Sequence, residues 1–137
     1  MPGAIRLEIV DGVPVARLTD THGAFEPAVD LVAGVIRRMV AEGHPHLLLD
    51  VADAGFAAPA LVDRLRMVRQ WADAADGRLR IAVVAPASFI DHDRFGVVAA
   101  GNFGLAAQVF EREADAVAWL LAARADELRR NAALPKK

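Results

Sequence analysis

The sequence predicts an α/β domain, and three observations carry that reading. Alternating residues flank an Asp-Gly dipeptide near the N-terminus, the pattern of an antiparallel hairpin. Short, mostly apolar runs recur at Leu47–Val51, Leu79–Val84 and Ala106–Phe110, as buried parallel strands require. Between them lie longer segments with apolar residues at helical spacing, so strands and helices alternate.

The elements follow in order. Ile5, Leu7 and Ile9 alternate with Arg6, Glu8 and Val10, and Val13, Val15 and Leu18 resume the pattern after Asp11-Gly12. This predicts strands over 4–10 and 13–19, joined by a turn whose residues tolerate positive φ. Pro27 suits a first helical turn, where its missing N–H costs nothing. Val29, Val32, Val35, Ile36, Met39 and Val40 then share one face, with Asp30, Arg37, Arg38 and Glu42 away from it. Gly43 stops this helix and Pro45 blocks its extension. After the strand at Leu47–Val51, Pro59 opens a second helix with Leu61, Leu65, Val68 and Ala72 on its apolar face, and Gly77 closes it. Following the strand at Leu79–Val84, Asp91 or Asp93 would cap a shorter helix reaching about Ala100. Ala106–Phe110 is the last strand, and Glu113 to about Arg130 the last helix, with Val117, Leu120 and Leu121 inward.

The predicted order is ββαβαβαβα: a mostly parallel central sheet with an N-terminal antiparallel hairpin and right-handed crossovers. Residues 1–130 make a single domain and 131–137 a flexible C-terminal tail.

Composition narrows the function. The 137 residues carry 16 basic and 18 acidic side chains, a formal charge of -2, which argues against a nucleic-acid partner. The chain has no Cys and no Tyr, and its lysines are Lys136 and Lys137 alone. Thiolate chemistry, a phosphate-loop lysine and a Schiff-base lysine are therefore excluded. Hydroxyl nucleophiles reduce to Thr19, Thr21 and Ser88. The segment up to Asp11 already carries Arg6 and Glu8 and lacks an apolar stretch, which predicts no secretory signal. The uncharged run from Phe95 to Phe110 is shorter than the roughly 20 residues a bilayer span needs. The expectation is a cytoplasmic protein without membrane insertion.

The hairpin Ile5-Arg6-Leu7-Glu8-Ile9-Val10-Asp11-Gly12-Val13 resembles the first strands of STAS domains, the family of the bacterial anti-sigma-factor antagonists. Leu47-Leu48-Leu49-Asp50-Val51, followed by Phe56 and a helix, is similar as well. Arg94-Phe95-Gly96, Asn102-Phe103-Gly104-Leu105, Val109-Phe110 and Ala116-Val117-Ala118-Trp119-Leu120 resemble the tail of a small bacterial STAS-like offshoot. The resemblance implies a STAS-like fold and a role in binding a signalling protein. It also exposes a departure. The antagonists carry an Asp-Ser phosphorylation switch at the start of the helix after the third strand. Here the corresponding stretch is Ala57-Ala58-Pro59-Ala60, which has no hydroxyl to accept a phosphate.

Several constellations invite a chemical reading. Asp20 and His22 follow the second strand, and Asp50 and Asp53 the third, so the carboxyl ends of an open sheet would bring them to one ligand crevice. The plainer reading is that Asp50 accepts backbone N–H groups in its own loop. Asp91-His92-Asp93 is rich in ligand atoms, yet neighbours on a forming helix diverge, and a cap is the simpler role. His44 and His46 flank Pro45 and read as a solvated pair without a third ligand. Gly96, Gly101 and Gly104 match neither phosphate-binding spacing. Phe95, Phe103, Phe110 and Trp119 read as core. The STAS-like offshoot is also called STAS/SEC14-like, and the SEC14 side of the resemblance implies instead that some of them line a lipid-like pocket. Arg64, Arg66 and Arg69 with Trp71 decorate the second helix, either as a solvated face or as a partner surface.

No catalytic residue, cofactor or metal is expected. The sequence points to a non-enzymatic STAS-like protein-interaction module in bacterial signalling, lacking the phosphorylatable serine. The alternative is a carrier of a small apolar or lipid-like ligand, motivated by the Phe, Val and Ala run over Phe95–Phe110. An enzyme would have to work from Asp50, Asp53 or His22. Helix faces rich in Ala and Val also suit a symmetric homodimer.

Overall fold

The computed structural model describes residues 4–19, 25–53, 61–86 and 105–133. The elements are β1 (Ala4–Val10), β2 (Val13–Thr19), α1 (Phe25–Ala41), β3 (His46–Asp50), α2 (Leu61–Ala75), β4 (Arg80–Val84), β5 (Ala106–Phe110) and α3 (Glu113–Ala133). The helix expected between Asp91 and Ala100 lies outside the described residues, as does the start at Pro59.

The strands form one mixed sheet of five, ordered β1-β2-β3-β4-β5. β1 pairs antiparallel with β2 through Ala4↔Thr19 to Val10↔Val13. The other pairings are parallel. Asp11 and Gly12 make the predicted turn, with φ of 51° and 79°. Positive φ at both central residues twists the turn with the strands it joins.

α1 and α2 cover one face of the sheet. Val29, Val32, Ile36 and Met39 from α1 and Val68, Trp71 and Ala72 from α2 pack there on Leu18, Leu47, Leu49 and Ile81. Both helices lie on one side because successive right-handed crossovers in a sheet that grows in one direction place them there. α3 covers the other face, where Ala116, Val117 and Leu120 meet Val13, Val15, Leu48, Ala82 and Val84. The run Leu47-Leu48-Leu49 is thus buried to both sides, Leu48 under α3 and its neighbours under α1 and α2. Each such leucine contributes about 2 kcal/mol by leaving water.

α1 ends in a Schellman motif. His44 N–H donates to the Met39 carbonyl at 3.0 Å and Gly43 N–H to Val40 at 3.1 Å, with Gly43 at φ 80°.

Three expectations need correction. Leu121 does not point inward; it is exposed, and Ala116 and Val117 hold the apolar stripe with Leu120. The last helix continues to Ala133, past the boundary set at residue 130. Ala132 and Ala133 are strong helix formers, and no Gly interrupts the helix before them. His46 is buried at the start of β3 instead of solvated, while His44 is half-buried, its Nε2 3.5 Å from Glu42.

Candidate functional site

A polar cluster spanning several elements centres on Arg17. This residue shares its side of β2 with Val13 and Val15, the face that α3 covers. Arg17 stands opposite Asp50 in the parallel β2–β3 register, and Glu8 projects diagonally from β1. Glu113, the first residue of α3, completes the group. Arg17 Nη1 donates to Asp50 Oδ2 at 2.8 Å and to Glu113 Oε1, and Nε donates to Glu8 Oε1.

The arrangement is a clasp in which one cation holds three carboxylates. A single guanidinium ties β1, β2, β3 and the first turn of α3 together. Its bonds to Glu113 and Glu8, and then to Asp50, hold the arginine's proton more tightly than usual. In return Arg17 holds the Glu113 carboxyl below its ordinary range, against the opposing effect of burial. Glu113 also lies in the first turn of α3, where a negative charge meets the positive end of the helix dipole.

Both carboxylate oxygens of Asp50 are engaged within the protein. Its Oδ2 accepts from Arg17, and its Oδ1 accepts the Ala52 N–H at 3.0 Å. The second bond is the local loop contact that makes Asp frequent at strand ends. Asp53 lies exposed in the turn beyond it. Asp20 and His22 lie outside the described residues. The crevice expected at the strand ends depends on a reversal of strand order. The described strands run in sequence order, without one. Among the described residues no three His, Cys, Asp or Glu side chains are grouped to hold a metal ion.

A second polar region lies between α1 and α2. A cleft of about 190 Å³ is lined by Glu26, Val29, Asp30, Asp63, Arg66, Met67 and Gln70. Gln70 Nε2 donates to Asp30 Oδ1 at 2.8 Å, and Arg66 Nη1 lies 3.7 Å from Glu26 Oε1. Arg66 and Arg69 are exposed on α2, and Arg64 is half-buried. Trp71 is a correction to the proposed surface. It is buried, and its Nε1 donates to the Val29 carbonyl at 3.2 Å, so it fastens α2 to α1 instead of facing a partner.

No family model matches this chain, and no curated protein does either.

The Phe95–Phe110 run that suggested a carrier lies mostly outside the described residues. Of its described part, Leu105 is buried in the core below α1 and α2. Phe110 packs on the α3 side, its ring 5.8 Å from that of Trp119. The Arg80 guanidinium in turn sits 5.4 Å from the Trp119 ring centre. Among the described residues no helix is long and apolar enough to cross a membrane.

Sequence reasoning missed Arg17, Glu8 and Glu113, because the contacts of the clasp span 9, 33 and 96 residues. One signal was present. Arg17 is the lone charge in Val-Pro-Val-Ala-Arg-Leu, at the same alternation as two buried valines. A charge at such a position needs a partner.

Proposed function

We propose that this protein is a non-enzymatic interaction module of the STAS-like kind, meeting a bacterial signalling protein through the face made by α1 and α2. The observation that carries the reading is the mixed-charge cleft between those helices, with Glu26, Asp30, Asp63 and Arg66 at its walls. Arg66 and Arg69 stand exposed on the same helix. Arginines at such a rim steer and orient a partner. Of the strand-end groups an enzyme would use, Asp50 is engaged by Arg17 and the Ala52 N–H. Binding of this kind is constitutive with respect to a phosphoserine switch, since Ala57-Ala58-Pro59-Ala60 has no acceptor oxygen.

The test is affinity capture with the full chain and with an Arg66→Glu/Arg69→Glu variant of unchanged thermal stability. The wild type should retain a stoichiometric protein partner, and the variant should lose it. Retention by both, or the absence of any stoichiometric partner, overturns the reading.

A further inference from the structure

The outer edge of β1 carries a pattern that the interaction face does not use. The two-residue turn makes Val10 and Val13 a hydrogen-bonded pair, and such pairs alternate along an antiparallel ladder. Ala4, Arg6, Glu8 and Val10 therefore turn their backbone groups toward β2. Ile5, Leu7 and Ile9 turn theirs outward. Among the described residues no strand pairs with that edge.

Edge strands are normally blunted by Pro, by charged side chains, by a bulge or by a covering segment. Ala4–Val10 has no Pro and its register with β2 runs without interruption, so its only such devices are the charges of Arg6 and Glu8, which are of opposite sign. Ile9 is 63% exposed, the most exposed large apolar side chain described. Arg6 faces Arg17 across the β1–β2 pair, like charge against like. Among the described residues Arg6 has no carboxylate partner, whereas Glu8 uses one oxygen on Arg17 and keeps the other.

We infer that β1 pairs with β1 of a second copy of this chain, antiparallel and centred on Leu7. That register sets Leu7 against Leu7 and Ile5 against Ile9, each pair with its backbone groups already pointing outward. It sets Arg6 of each copy against Glu8 of the other, at the non-hydrogen-bonded positions where side chains approach most closely. Shifting the pairing by two residues in either direction loses both charge pairs and shortens the ladder. The two-fold axis joins the sheets into one and removes the exposed edge. No residue of β1 lines the α1–α2 cleft.

Sedimentation equilibrium of the full chain at micromolar to tens of micromolar concentration tests the inference. The wild type should be dimeric, and Arg6→Lys should remain so. Arg6→Glu, an exposed change with no internal partner to lose, should weaken the dimer on the order of tenfold or more by setting like charges together. Glu8→Arg should do the same. An equimolar mixture of the Arg6→Glu and Glu8→Arg chains should recover a heterodimer, because every cross-strand pair is then of opposite charge. If Glu8→Arg fails to fold, the contrast between Arg6→Glu and Arg6→Lys decides the question alone. A monomeric wild type, or a dimer indifferent to Arg6→Glu, overturns the proposal.

Discussion

At the residue scale, Arg17 touches acids from three other elements or their ends. Its side chain is 20% exposed, so water only partly screens the group. Replacing it with Met would leave Glu8, Asp50 and Glu113 facing one another. The expected cost at neutral pH is about 2 kcal/mol in denaturant unfolding, below the figure for a fully buried pair. That cost should shrink in acid, where the Glu113 carboxyl is protonated and no longer repels its neighbours. Glu113 gives the pH dependence its sign. Arg17 holds its carboxyl below the ordinary value of 4.5, so the folded form binds that proton less readily than the unfolded chain. The stabilisation is fully present above that value and is lost as pH falls through the folded pKa. Thermal midpoints from pH 7 down to pH 3 should fall more steeply for the wild type than for Glu113→Gln below about pH 4.5. Equal slopes would remove Glu113 from the account.

At the scale of elements, the hairpin and α1 make opposite predictions for the same substitution. Gly12 holds φ at 79°, and a Cβ there would sit 3.5 Å from Arg124 Nη1, an ordinary contact. Gly12→Ala therefore carries only the left-handed backbone penalty, about 1 kcal/mol of lost stability. Gly34 lies exposed inside α1, and a Cβ there would meet nothing within 4 Å. Gly34→Ala should raise stability by about 0.5–1 kcal/mol through helix propensity alone. Urea titrations of both variants check the signs, and a destabilising Gly34→Ala would mean that α1 is held by something other than its described packing.

For the whole molecule, burial on both faces concentrates stability in the centre of the sheet. Leu47, Leu48 and Leu49 of β3 are fully buried, whereas β1 is an edge strand with Ile9 in water. Hydrogen exchange should accordingly be slowest at the β3 and β4 amides, opening only with global unfolding. The outward amides of Ile5, Leu7 and Ile9 should exchange fast in dilute protein and slow with rising concentration. Exchange measured by mass spectrometry at two protein concentrations reads both. A β3 that exchanges as fast as β1 would contradict the layered core.

The sequence by itself determined the class of fold and most of its boundaries. The Asp-Gly hairpin, the alternation of Ile5, Leu7 and Ile9, and the leucine run of β3 are local patterns, set by side-chain period and turn chemistry. It also excluded thiol and lysine chemistry, since residue types that are absent cannot act. The tertiary structure decided which polar groups meet. Arg17, Asp50 and Glu113 converge only because β2 lies beside β3 and α3 begins near both. Trp71 was legible as an anchor but not as a buried one, since the sequence does not say which side of α2 meets α1. Local periodicity specifies a face; what that face touches is settled by packing between segments far apart in the chain.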